Sequence, residues 1–162
     1  MDLTRVGISG WSFGGYLSAL AVLKRPDVFH AAVAGAPVVD WLDYDTFYTE
    51  RYLGIPPAAD EVYARNGLLL EAPNLQRPLL VLHGTSDDNV YFFHSLKLAN
   101  ALFRAGRQQF EFVPLSGFTH MVADPVVLER LHRLEVDFLK AHLVQPASPV
   151  ASPRPGTAQP TG

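Results

Sequence analysis

The sequence contains no cysteine. That excludes disulfides, thiol nucleophiles and thiolate metal ligands together, and it fits a reducing compartment. It also lacks an excess of one charge. Thirteen Lys and Arg face sixteen Asp and Glu, for a formal net charge of −3, and the basic residues are scattered. Without a basic patch there is no electrostatic footprint for nucleic acid or an anionic membrane. Long apolar runs are missing too, none approaching the ~20 residues that a membrane helix needs. Met1-Asp2-Leu3-Thr4-Arg5-Val6 carries no charged-then-apolar signal pattern. With the absence of cysteine, this favours a cytoplasmic location.

What is present is a globular composition, 48% apolar and 18% charged over 162 residues. That length suits one domain burying about two-thirds of its unfolded surface. Val6-Gly7-Ile8-Ser9 reads as a short strand closed by Gly10, and Tyr16, Leu20 and Leu23 then recur at helical spacing until Pro26. Ala31 to Gly35 reads as a second strand. Residues 40–57 are aromatic and charged without a period, and Gly54, Pro56 and Pro57 mark them as mostly loop; 58–66 is a weak helix stopped by Gly67. Leu79 to Leu82 is a third strand, Phe93 to Phe103 a helix with Gly106 as its left-handed cap, and Phe110 to Leu115 a fourth strand. Asp124-Pro125 opens a long helix through Leu128, Leu131, Leu134 and Phe138. The alternation predicts an α/β fold over residues 1–144: about four parallel strands flanked by helices. Residues 145–162 carry five prolines among Ser, Ala, Thr and Gly, with Arg154 the sole charge. This composition predicts a disordered tail.

Gly10-Trp11-Ser12-Phe13-Gly14 matches G-x-S-x-G between a strand and a helix. In that context the pattern predicts a sharp turn presenting the Ser12 hydroxyl, with Gly10 and Gly14 lacking side chains that would clash across it. The Phe13 N–H, at the helix start, is a candidate oxyanion donor. A glycine-rich turn with an incidental serine is the plainer alternative. A serine nucleophile needs a base, and the base an orienting acid, in the chain order Ser, acid, His. Asp87 and Asp88 both follow the third strand, where turn-forming aspartates are also common, and spacing does not choose between them. Among six histidines, His94, His132 and His142 fall on predicted helices, His30 precedes a strand and His83 suits a structural role in its turn. His120 sits on its own loop after the fourth strand and is the candidate base.

Gly10 to Tyr16, the stretch Ala36-Pro37-Val38 with Trp41 and Tyr44 to Gly54, and His83 to Val90 resemble the prolyl oligopeptidase family, in particular its dipeptidyl-peptidase branch. The resemblance spans residues 3 to about 143 and identifies a serine peptidase. It implies Ser12 as nucleophile, Asp87 as the acid and His120 as the base. It further implies that Val38, Trp41, Tyr44, Tyr48 and Val90 wall a small apolar pocket for proline or alanine, and that Asn89 binds a substrate carbonyl. A rigid aromatic box suits a proline ring, burying it without asking for hydrogen bonds; ordinary core packing is the competing reading. Phe13 stands where the branch usually has Tyr, a mild departure because the chemistry uses the backbone N–H. The implied reaction needs no metal and no organic cofactor.

In the family, a β-propeller with amine-binding acids, the first strands of the sheet and a tyrosine of the oxyanion hole all precede the elbow. The expectation is therefore an N-terminally truncated catalytic domain acting on peptides. By itself it would hydrolyse them poorly, and it would form homo-oligomers or need a complementing N-terminal segment. An esterase-like hydrolase, or a catalytically silent fragment, are the rival readings.

Overall fold

Leu79 to Leu82 offers no polar side chain to either face, so it can only be an inner strand. In the computed structural model, which describes residues 2–144, it lies within β3 (Leu79–Gly84), buried throughout. The small apolar run Ala31–Gly35 forms β2, equally buried. The outer strands, β1 (Gly7–Trp11) and β4 (Phe110–Leu115), are partly exposed. All four are parallel, in the order β1-β2-β3-β4, with Ser9 beside Val33, Val33 beside Leu80 and Leu80 beside Glu111. The tail expected at 145–162 lies outside the described residues.

The period-two alternation of the inner strands divides the core. Leu79 and Val81 face α1 (Phe13–Lys24) and α4 (Phe93–Arg104), joined by Tyr63 of α3 (Asp60–Asn66) and by Leu68 and Leu75. Leu80 and Leu82 face Leu131 and Phe138 of α5 (Pro125–Leu143), the sole helix among the described residues on that side. Asp124 accepts from the N–H groups of Val126 and Val127, and Pro125 fits the first helical turn, so α5 begins where expected. Gly106 ends α4 at φ 69°, a conformation that glycine adopts without strain.

The stretch 40–57 differs from expectation. It holds a 3₁₀ turn at Trp41–Asp43 and an eight-residue helix, α2 (Thr46–Leu53). Only Thr49 of α2 is buried, so no apolar stripe announced the helix. Its signal is the cap: Asp45 accepts from the Tyr48 N–H at 2.8 Å. Asp40 caps the 3₁₀ turn likewise, accepting from Leu42 N–H at 3.1 Å. The loops that follow β1, β2, β3 and β4 gather at one end of the sheet, the end at which open α/β sheets place ligands.

Candidate active site

β1 runs two residues further than its apolar run suggested, so Ser12 sits between Trp11 and the first residue of α1. Its backbone is held at φ 61° and ψ −119°, a region that favours glycine. Such a conformation costs about 1–3 kcal/mol and persists only where its surroundings enforce it. Here the Ser12 N–H donates to Gly35 O at 2.8 Å. A Cβ on Gly10 would lie 2.5 Å from Gly14 O, and one on Gly15 would meet the Gly35 carbonyl. A Cβ on Gly14 would meet nothing within 4 Å. The expectation that Gly14 avoids a clash of its own is thus corrected: its backbone is the wall that Gly10 must clear, and Gly15 is the second glycine that packing requires. Phe13 opens α1, so its N–H has no intrahelical acceptor.

The loops after β3 and β4 bring acid and histidine to this hydroxyl. Ser86 N–H donates to Phe118 O at 3.0 Å, and Gly117 N–H donates to Thr85 Oγ1 at 2.9 Å, so each loop fixes the other. Asp87 is 5% exposed; its Oδ1 accepts from Asn89 N–H and Val90 N–H, both at 2.9 Å. Its Oδ2 lies 2.8 Å from His120 Nδ1. Because a carboxylate oxygen accepts, Nδ1 carries the hydrogen, which leaves Nε2 to accept from the Ser12 hydroxyl at 3.0 Å. Trp11 Nε1–H donates to His120 O at 2.8 Å, holding the histidine loop over β1. Asp88, by contrast, is exposed.

The five residues assigned to the pocket wall, and Asn89 assigned to a substrate carbonyl, are dispersed. Trp41 and Tyr48 stack at 6.1 Å and, with Phe13 and Tyr16, line an apolar cavity of about 530 Å³. Tyr44 and Asn89 face a different hollow of about 670 Å³, which His120 also lines. Tyr44 OH donates to Asn89 Oδ1 at 2.9 Å. Burial, with Asp45 close by, pushes the Tyr44 phenol above its ordinary value, so it stays a donor. Val38 and Val90 are 2% and 0% exposed and belong to the core. They back the site instead of lining either hollow.

Sequence patterns missed a brace from α4. Lys97 Nζ is 2.8 Å from Asp40 Oδ2 and 2.5 Å from Asp43 Oδ2, spanning the turn that carries Trp41. Three residues earlier, buried His94 accepts from Val39 N–H at 3.1 Å through Nδ1. These contacts join residues more than fifty positions apart, so no local spacing announces them.

The sheet and its clustered loops define an α/β-hydrolase fold. Comparison with known proteins makes the class specific: the model of the prolyl oligopeptidase family matches residues 1–145, and the chain belongs to that family. Dipeptidyl peptidase 8 of Mus musculus and of Homo sapiens are each 48% identical over 110 residues, covering 66% of this chain and 12% of the relative. Dipeptidyl peptidase 4 of Sus scrofa is 36% identical over 143 residues, covering 86% of this chain and 18% of the relative. The crystal structure of Porphyromonas gingivalis dipeptidyl peptidase 4 superposes with a TM-score of 0.84 at 32% identity, covering 88% of this chain and 20% of that one. The chain thus spans a fifth or less of the length of these relatives.

Proposed function

We propose that this chain carries the catalytic centre of a serine peptidase, cleaving peptide bonds after proline or alanine through Ser12, His120 and Asp87. The observation that carries the reading is the continuous relay from Ser12 Oγ through His120 to Asp87 Oδ2, at 3.0 and 2.8 Å. Ser12 Oγ attacks the scissile carbonyl while His120 Nε2 takes its proton. The Phe13 N–H receives the developing oxyanion. His120 then returns the proton to the departing amine, leaving an acyl group on Ser12. Water, deprotonated by the same histidine, releases the acid and restores the serine. Asp87 keeps Nδ1–H in place and stabilises the imidazolium that forms at each attack. The Trp41–Tyr48 cavity is the place for a flat P1 ring, and Asn89 is the donor for a substrate carbonyl. The names of the relatives, dipeptidyl peptidases, support a peptide substrate.

A second reading rests on β1. Among the described residues it is an edge strand, paired with β2 alone, and its exposed Ser9 adjoins an apolar groove of about 340 Å³ lined by Trp11, Met121 and Leu128. In this reading the chain pairs with another copy or a complementing segment before it turns over peptides. A fluorophosphonate probe tests the first reading: the chain labels, and Ser12→Ala does not. Peptide and ester panels then separate a peptidase from an esterase. Labelling that survives Ser12→Ala overturns the assignment.

A further inference from the structure

Two histidines, not one, reach the Asp87 carboxylate. His83 occupies the penultimate position of β3 and is completely buried. Its Nε2 lies 2.8 Å from Val90 O and 3.2 Å from Asp87 Oδ2, the oxygen that also receives His120. Its Nδ1 lies 2.6 Å from Ser95 Oγ on α4. A carbonyl oxygen only accepts, so Nε2 must carry the hydrogen, and Nδ1 must accept from the Ser95 hydroxyl. The direction of the hydrogen bonds is therefore fixed: Ser95 O–H to His83, and His83 N–H to Val90 O, with Asp87 Oδ2 lying 3.2 Å from the same nitrogen.

We infer that His83, oriented by Ser95, is a positioning residue that shares the Asp87 Oδ2 with His120 and so limits how strongly that oxygen binds the His120 N–H. The inference rests on the proposed Ser12–His120–Asp87 relay. Burial lowers the affinity of the His83 imidazole for a second proton, against the pull of Asp87. It therefore reaches the acid as a neutral donor. Asp87, His120 and, through α4, His94 are the titratable groups around it. A histidine serving the Val90 turn alone would leave the bond between Asp87 and His120 untouched, and this difference is measurable.

The readout is the low-field proton resonance of His120 Nδ1–H in the full chain labelled with ¹⁵N-histidine, assigned by its loss in His120→Gln. Asp87→Asn removes or moves it upfield if the relay exists; a resonance indifferent to Asp87→Asn overturns the proposed relay itself. Given that response, His83→Leu moves the resonance downfield, because Oδ2 is left to one imidazole donor. His83→Gln, whose amide places an N–H where Nε2 was, returns it towards the wild-type position. Ser95→Ala gives a smaller downfield shift, since His83 loses its orienting partner, and this variant decides the question if His83→Leu does not fold. A resonance that answers to Asp87→Asn yet stays put in His83→Leu, or in Ser95→Ala where the former is unfolded, overturns the role of His83 and leaves the relay standing.

Discussion

Ser12 holds a conformation that its own side chain disfavours, and the surrounding contacts show why it persists. The N–H bond to Gly35 and the first turn of α1 fix the backbone, so the strain is carried by the residue that presents the hydroxyl. Two substitutions separate conformation from chemistry. Ser12→Ala keeps the strained Cβ and leaves stability near its starting value. Ser12→Gly relieves it and is expected to gain about 1 kcal/mol in denaturant unfolding. Both abolish labelling by a fluorophosphonate; a Ser12→Gly variant no more stable than Ser12→Ala would contradict the strain argument. At Asp87 the expected loss is catalytic. Asp87→Asn offers an N–H where His120 needs an acceptor, and an acid-to-amide change of this kind lowers turnover by roughly 10⁴ in a comparable triad. The labelling rate constant measures it, and a loss below tenfold would remove Asp87 from the acid role.

The elements differ in how far local sequence specifies them. β3 and β2 were legible because buried parallel strands are continuous apolar runs, and α5 because Asp124-Pro125 and a long stripe announce it. α2 was not, since it buries one residue and its aromatic side chains serve a cavity wall and solvent instead of a core. Strand-end loops singled out Ser12 and His120, which lie 3.0 Å apart, whereas spacing left Asp87 and Asp88 open and only the family resemblance chose Asp87. The brace formed by Lys97 and His94 is tertiary and leaves no periodic trace. α2 therefore depends on its cap more than on burial. Removing the Asp45 carboxylate in Asp45→Ala costs about 1 kcal/mol of stability. Because α2 carries Tyr48, the same change should also slow labelling by a proline-bearing phosphonate more than by a small unspecific one. Equal slowing of both probes would show that the helix does not shape the cavity.

Two properties belong to the whole molecule. His83 and His94 are both fully buried, and burial lowers both from their ordinary value of 6.5. Below that pH the unfolded chain takes up protons that the folded one refuses. Stability is thus fully present above about pH 6.5 and falls as pH drops towards the folded-state values. The slope is at most about 1.4 kcal/mol per pH unit for each histidine. Urea melts at pH 7.5, 6.5 and 5.5 check this, and His94→Gln should shallow the dependence. The second concerns the open edge of the sheet. In β1, Val6 O accepts from His30 N–H and Ser12 N–H donates to Gly35 O, so the alternate residues Gly7, Ser9 and Trp11 turn their backbone groups away from β2. That row of donors and acceptors lies beside the groove of Trp11, Met121 and Leu128. An unprotected edge next to an apolar surface recruits another strand. Sedimentation across a dilution series should show mass rising with concentration, and Leu128→Lys, which places a charge in the groove without touching the relay, should shift the rise to higher concentration. A monomer at every concentration, with the Ser9 amide protected from hydrogen exchange, would mean that the edge is already covered from within the chain.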